Sequence, residues 1–334
     1  MVTRKNYKVL VTDYVWPSTD PEREVLSSIG ATIIEAPDPN ESTLIELAAD
    51  VDAIMTCFAQ VTANVVKAAK NCMVISRYGV GVDNIAVSTA TEQGIPVTYV
   101  PDYCVDEVSD HVMALLLTWN RQIVFYDKVA KMGDWGGSVS PVPLRRLRGK
   151  NLGVIGLGRI GLAVAGKAQA LGINVLGYDP YISGNTAAMD NIAITSLEDL
   201  LEQGDYISVH TPLNDNTRGL IGKNELSRMK PTCYLVNCAR GPIVDEMALY
   251  QALLSGSIAG AGLDVMEDTE PRADNPLFEL ANVIVTPHVA FLSNESVNEL
   301  EVRTAQATKN VLLGQMPEFL VNPEVLATSR VNLR

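Results

Sequence analysis

The sequence predicts an α/β protein built from two doubly wound parallel-sheet domains. Short apolar, β-branched runs alternate with helix-like runs almost from end to end, the pattern of repeated βαβ units. One long helical stretch interrupts the alternation, which then starts afresh. At 334 residues the chain is about twice the length of a typical domain, which suits two sheets better than one.

The first series comprises KVLVTD (8–13), ATIIEA (31–36), DAIMTC (52–57), MVISRY (73–78) and PVTYV (96–100). Each is apolar enough to be buried on both faces of a parallel sheet. Among the helix candidates between them, PEREVLSSIG has Pro21 suited to a first turn and Gly30 suited to a C-terminal cap. Residues 105–132 read as one long helix whose centre, HVMALLLTW, is apolar nearly all round and therefore buried. A loop rich in Gly, Ser and Pro follows at 133–143. The second series is NLGVIGLG (151–158), NVLGYD (174–179), YISVH (206–210), CYLVNCA (233–239), AGAGLDV (259–265) and NVIVTPH (282–288). The closing run at 295–314 is a helix with no strand after it.

Lys and Arg number 26 against 39 Asp and Glu, a net charge of −13. So acidic a surface repels nucleic acid and anionic membranes, and neither is an expected partner. No apolar run approaches a bilayer span, and the N-terminus carries no h-region or cleavage site, so a cytoplasmic protein is expected. The five cysteines (Cys57, Cys72, Cys104, Cys233, Cys238) contain no CxxC pair, and with three scattered histidines they make no metal-ligand cluster. Buried, reduced thiols and no metal are the expectation.

Gly156-Leu157-Gly158-Arg159-Ile160-Gly161 follows one strand and opens a helix. In that setting Gly156 permits the tight turn, Gly158 lets backbone approach a pyrophosphate, and Gly161 allows close helix–strand packing. The helix N-terminus offers free N–H groups to the phosphates. Asp179 ends the next strand, 18 residues beyond Gly161. A carboxylate there accepts hydrogen bonds from both ribose hydroxyls of NAD and repels the extra phosphate of NADP. NAD is therefore the predicted cofactor.

His111 reads as a half-buried or paired structural residue beside Asp110. His210 ends a strand and runs into Thr211-Pro212, a turn placed to border the cofactor rather than to do chemistry. His288 ends the last strand behind Pro287, Arg240 stands just past CYLVNCA, and Asp264 ends AGAGLDV ahead of the acidic loop Glu267-Asp268-Thr269-Glu270. Hydride transfer to a 2-oxo acid needs a guanidinium clamp, a proton donor near neutral pKa and a carboxylate to orient that donor. Arg, His and Glu at successive strand ends meet that need; a surface ion-pair network is the alternative.

The chain resembles the D-isomer-specific 2-hydroxyacid dehydrogenases over nearly its whole length. RYGVGVDNIAV (77–87), GLGRIG (156–161), HTPLNDNTRGLI (210–221), LVNCARGPIVDE (235–246), GAGLDV (260–265) and NVIVTPHVA (282–290) carry the likeness. RYGVGVDN, YVPDYCVDEVSDH and PHVAFLSNES look nearest to the branch holding the C-terminal-binding-protein-like and phosphoglycerate dehydrogenase-like members. The resemblance implies a Rossmann NAD-binding domain (104–295) inserted in a discontinuous flavodoxin-like substrate domain (1–103 with 296–334). It also implies a homodimer formed through the cofactor domains.

Carried over by position, the resemblance implies catalytic Arg240, Glu270 and His288. Arg240 would bind the substrate's carboxylate and keto oxygen, and His288 would be the acid/base. The family's Glu usually comes five residues after the Asp, where this chain has Thr269. Glu270, before Pro271, fills the role if the loop has one extra residue; otherwise Glu267 or no carboxylate does. Gly156, Gly158, Arg159, Ile160, Gly161, Asp179, His210, Thr211, Pro212, Thr217, Cys238, Ala239 and Asp264 are the implied cofactor-binding positions. Val80 and Gly81 would receive the substrate carboxylate on their N–H groups, and Phe291, where the nearest branch commonly has Trp, would line the substrate pocket. Residues 56–60 offer no cation for a substrate phosphate, although Arg77 could supply one, so a small or apolar oxo acid is preferred. The same likeness leaves a second reading, an NADH-responsive protein-binding module of corepressor type.

Overall fold

Val9, Leu10 and Val11 have no route to water. In the computed structural model, which describes residues 6–136, 139–140, 142–182, 191–269 and 271–334, they lie in strand β1 (Lys8–Val11) at 1% exposure or less. The chain then alternates α1 (Asp20–Ser27), β2 (Thr32–Glu35), α2 (Glu41–Ala48), β3 (Ala53–Thr56), α3 (Ala63–Ala68), β4 (Val74–Arg77), α4 (Val87–Glu92) and β5 (Val97–Thr98). Pro21 sits in the first turn of α1, and beyond its end Gly30 turns the chain at φ 71°, a left-handed position that glycine takes without strain. The sheet is parallel throughout, in the order β2-β1-β3-β4-β5, the flavodoxin-like doubly wound arrangement.

The stretch expected as one helix is two. α5 (Val105–Arg121) ends where Gln122 adopts φ 52°, and α6 (Ile123–Lys131) starts beyond it. Gln122 gives both its backbone N–H and its side-chain amide to the Trp119 carbonyl, closing the helix without a Gly or Pro to announce the break. The apolar centre of α5 is buried: Val112, Met113, Leu115, Leu116 and Trp119 join one core cluster, with Trp119 stacked on Tyr234 at 4.7 Å.

The second sheet follows: β6 (Asn151–Ile155), α7 (Arg159–Ala170), β7 (Asn174–Tyr178), β8 (Ile192–Ile194), α8 (Leu197–Gln203), β9 (Tyr206–Val209), α9 (Lys223–Arg228), β10 (Tyr234–Asn237), α10 (Glu246–Leu254), β11 (Gly260–Leu263) and β12 (Val283–Val285). β8 is an addition to the strands read from sequence, its three residues being too few to show a pattern. The order is β12-β11-β10-β9-β6-β7-β8, all parallel. Strand order reverses between β6 and β9, which is where a doubly wound sheet opens its ligand crevice at the carboxyl ends. Alternating residues feed two cores: Leu235 belongs to one, Tyr234 and Val236 to the other.

The closing helix α11 (Asn294–Leu312) returns to the first sheet, where Thr308 donates to Ser76 at 2.7 Å. Farther on, the Asn322 side chain accepts the Val97 N–H and donates to the Ile95 carbonyl. Contacts thus divide the chain into one unit of Met1–Tyr103 with Ser293–Arg334 and a second of Cys104–Leu292. Among the described residues no helix is long and apolar enough to cross a membrane.

Candidate active site

Three glycines shape the turn after β6, each for its own steric reason. Gly156 has φ 94°, and a Cβ there would stand 2.8 Å from the His210 backbone. A Cβ on Gly161 would lie 2.0 Å from the Gly156 carbonyl oxygen, so α7 can start this close to the strand only without a side chain. Around Gly158, the N-cap of α7, there is nothing within 4 Å of a built Cβ, which leaves the backbone open to a ligand. Arg159 and Ile160 are the first two residues of α7, so the helix's first turn and positive dipole end are presented here.

Asp179 follows β7 and ties back to this turn: Oδ2 accepts the Leu157 N–H at 3.0 Å and Oδ1 the Tyr181 N–H at 3.0 Å. Each oxygen keeps acceptor capacity, which suits the two hydroxyls of a ribose. His210 bonds to Ser208 Oγ at 2.8 Å, and burial pushes its pKa down to about 4, so at neutral pH it is uncharged and no general acid. Next to it, Thr211 Oγ1 is buried without a hydrogen-bond partner among the described residues. Thr217 holds the adjoining turn, donating to the Pro212 carbonyl at 2.6 Å and accepting the Asn214 N–H. An open glycine turn, a helix N-terminus, a ribose-competent carboxylate and an orphaned buried hydroxyl fit a dinucleotide.

Arg240 stands beyond β10, half-buried, with Nη1 on the Ala239 carbonyl at 2.8 Å. Asn237 props this loop by accepting the Ala239 N–H and donating to the Arg240 carbonyl. Cys238 lies between them, its thiol raised well above its usual range by burial and by Asp264. A Cβ on Gly241 would stand 1.8 Å from the Met266 carbonyl oxygen, so this glycine is what lets the loop after β10 lie against the loop after β11. The latter loop is held by Glu246, which accepts the Glu267 N–H and the Asn275 amide. Glu270 lies outside the described residues.

His288 follows β12 with φ 54°, a left-handed conformation costing a non-glycine residue about 1–2 kcal/mol. Asp264, its side chain fully buried, compensates. The Asp264 carbonyl accepts the His288 N–H at 2.8 Å, and its carboxylate accepts Val289 N–H at 3.0 Å, Ala290 N–H at 2.9 Å and Thr286 Oγ1–H at 2.5 Å. Phe291 sets its ring edge-to-face with His288 at 6.1 Å. His111 is paired, though not with its neighbour. Asp110 binds Lys167, while His111 Nε2 meets Thr286 Oγ1 at 2.9 Å. Neither this contact nor the Asp264 brace is visible in the sequence; the Thr two places before His288 was the available hint.

In the first unit, Arg77 is 6% exposed and fixes the turn after β4. Its guanidinium donates to the Tyr78 carbonyl and, at 2.9 Å, to the Gly81 carbonyl, and lies 5.9 Å from the Phe58 ring centre. Among the described residues neither Val80 nor Gly81 gives its N–H to a backbone acceptor. Asp13 organises the neighbouring loop by accepting the N–H groups of Cys57, Phe58 and Ala59. Among the described residues no group of three or more His, Cys, Asp or Glu could hold a metal ion.

A family model for the D-isomer specific 2-hydroxyacid dehydrogenase NAD binding domain matches residues 113–290. The chain is 39% identical over 317 residues to a D-3-phosphoglycerate dehydrogenase from Methanocaldococcus jannaschii, covering 94% of this chain but 59% of that longer protein. It is 38% identical over 295 residues to a glyoxylate reductase from Korarchaeum cryptofilum, covering 87% and 89% of the two chains. The crystal structure of D-lactate dehydrogenase from Aquifex aeolicus, complexed with NAD and lactic acid, superposes with a TM-score of 0.84 at 30% identity, over 92% of this chain and 96% of that one. The chain therefore belongs to the D-isomer specific 2-hydroxyacid dehydrogenase family, and its second unit is that family's NAD-binding domain.

Proposed function

We propose that the protein is an NAD-dependent D-2-hydroxyacid dehydrogenase acting on a small or apolar 2-oxo acid and its D-2-hydroxy counterpart. The observation that carries this is the arrival of Arg240, Asp264 and His288 at the carboxyl ends of three adjacent strands, β10, β11 and β12, on the sheet that bears the dinucleotide turn. NADH, when bound, supplies the hydride. Arg240 clamps the substrate's carboxylate and carbonyl oxygen and polarises the carbonyl. His288, as imidazolium, gives its proton to that oxygen, with Glu270 as the carboxylate assigned to orient it and Phe291 beside it.

The commitment of Arg77 to two backbone carbonyls argues against a phosphorylated substrate, since the cation left open by the sequence is occupied within its own turn. Relatives named as dehydrogenases and reductases favour turnover over the corepressor-type reading. A homodimer belongs to the same proposal. Ile123, Val124, Met132, Trp135, Val139 and Leu144 are exposed along and beyond α6, a run of apolar surface that a second copy would cover.

The test is NADH oxidation against glyoxylate, hydroxypyruvate, pyruvate and phenylpyruvate, with 3-phosphoglycerate oxidation run in parallel. Turnover of the unphosphorylated acids is expected, and His288→Ala should lower kcat roughly 10²–10⁴-fold with NADH binding retained. No turnover of any acid, or near-normal turnover by that variant, overturns the assignment.

A further inference from the structure

We propose that His111, on α5, is a positioning residue for His288, acting through Thr286 and Asp264. The proposal rests on the reading of His288 as the acid/base.

Thr286 has one hydroxyl hydrogen, and Asp264 Oδ1 takes it at 2.5 Å. The 2.9 Å contact between Thr286 Oγ1 and His111 Nε2 must then be a donation from the imidazole, so Nε2 carries a hydrogen. That donation fixes the Thr286 hydroxyl with its hydrogen toward the carboxylate. Asp264 Oδ1 is also the acceptor of the Val289 N–H, while Oδ2 takes the Ala290 N–H. The carboxylate thus grips the two residues after His288, and the Asp264 carbonyl grips His288 itself. His111 Nε2 lies 3.7 Å from Asp264 Oδ1, close enough that its N–H dipole also favours the buried negative charge.

The chain needs this brace because His288 holds a left-handed backbone without being glycine. Such conformations persist only where the surroundings over-determine them. His111 is anchored independently of the loop, on a helix whose Val112, Leu115 and Leu116 are buried in the core. It therefore ties the orientation of the His288 turn to the rigid body of the sheet. Its side chain is 22% exposed, so packing alone gives no reason for an imidazole there.

The experiment compares His111→Ala, His111→Gln, Thr286→Val and Thr286→Ser with the parent enzyme for kcat, NADH Kd by fluorescence and Tm. Gln keeps a donor at about the position of Nε2, and Ser keeps the hydroxyl. His111→Ala and Thr286→Val should lower kcat roughly tenfold, the worth of one hydrogen bond, leaving NADH Kd within about twofold; the Gln and Ser variants should recover most of the loss. The idea fails if His111→Ala keeps parental kcat, or if Thr286→Ser is as impaired as Thr286→Val. It fails too if kcat, NADH Kd and Tm decline together, which marks general loosening. His288→Ala, run alongside, separates the outcomes: a parent with no turnover or an active His288→Ala enzyme defeats the functional reading, whereas an inactive His288→Ala beside a normal His111→Ala defeats only this one.

Discussion

Asp179 bridges two tasks, holding the glycine turn through Leu157 N–H and keeping acceptor capacity for a ribose. Replacing it by Ser removes the charge-assisted bonds, worth about 1.5–3 kcal/mol. KM for NAD should rise by roughly 10–100-fold, while NADPH, no longer repelled, becomes usable; steady-state assays with both cofactors decide it. Arg240→Lys should lower kcat/KM by a similar factor, roughly 10–100-fold, because a point charge cannot make the two-pronged contact. These positions are legible in the sequence because the glycine spacing and strand-end acid are local patterns. The left-handed φ of His288 and its grip by Asp264 are not, since the partners are 22 to 26 residues apart and meet only once β11 and β12 pair.

At the scale of elements, α7 depends on the absence of one methyl group. Gly161→Ala would drive a Cβ against the Gly156 carbonyl, and overpacking of about 1–3 kcal/mol should weaken NADH binding roughly 10–100-fold, as titration of NADH fluorescence would register. α1 and α11 carry a different load. Glu22 and Glu301 are both buried, and Tyr78 donates to Glu22 at 2.9 Å. Desolvation, followed by Glu22's charge, raises Glu301 to about 7, and desolvation raises Glu22 as well. A carboxyl whose folded pKa exceeds its unfolded value of about 4.3 stabilises below that value, and the stabilisation is lost as pH rises through the folded pKa. Calorimetry should show Tm of the parent falling between pH 5 and 8, with Glu301→Gln flattening the slope and gaining about 2–4 °C at pH 8. Equal slopes would refute the linkage. The sequence could not announce this pair, nor the end of α5 at Gln122, because both depend on what each polar side chain finds to bond. It did disclose the strand runs, whose burial needs only composition.

For the whole molecule, the acidic balance of −13 and the exposed apolar run near α6 pull in opposite directions, one favouring separate chains and the other association. Sedimentation velocity should find a dimer, and Trp135→Ser, removing the side chain that is 85% exposed, should shift it toward monomer with NADH binding retained. A parent that sediments as a monomer at micromolar concentration would end that part of the proposal. The interleaving of the two units also orders their birth. α11 and Asn322, which complete the first sheet through Ser76, Val97 and Ile95, leave the ribosome only after all of residues 104–292 have been made. During synthesis the nucleotide-binding sheet is therefore whole while the older one still lacks its cover, and a nascent chain arrested before α11 should already resist protease in its younger half alone.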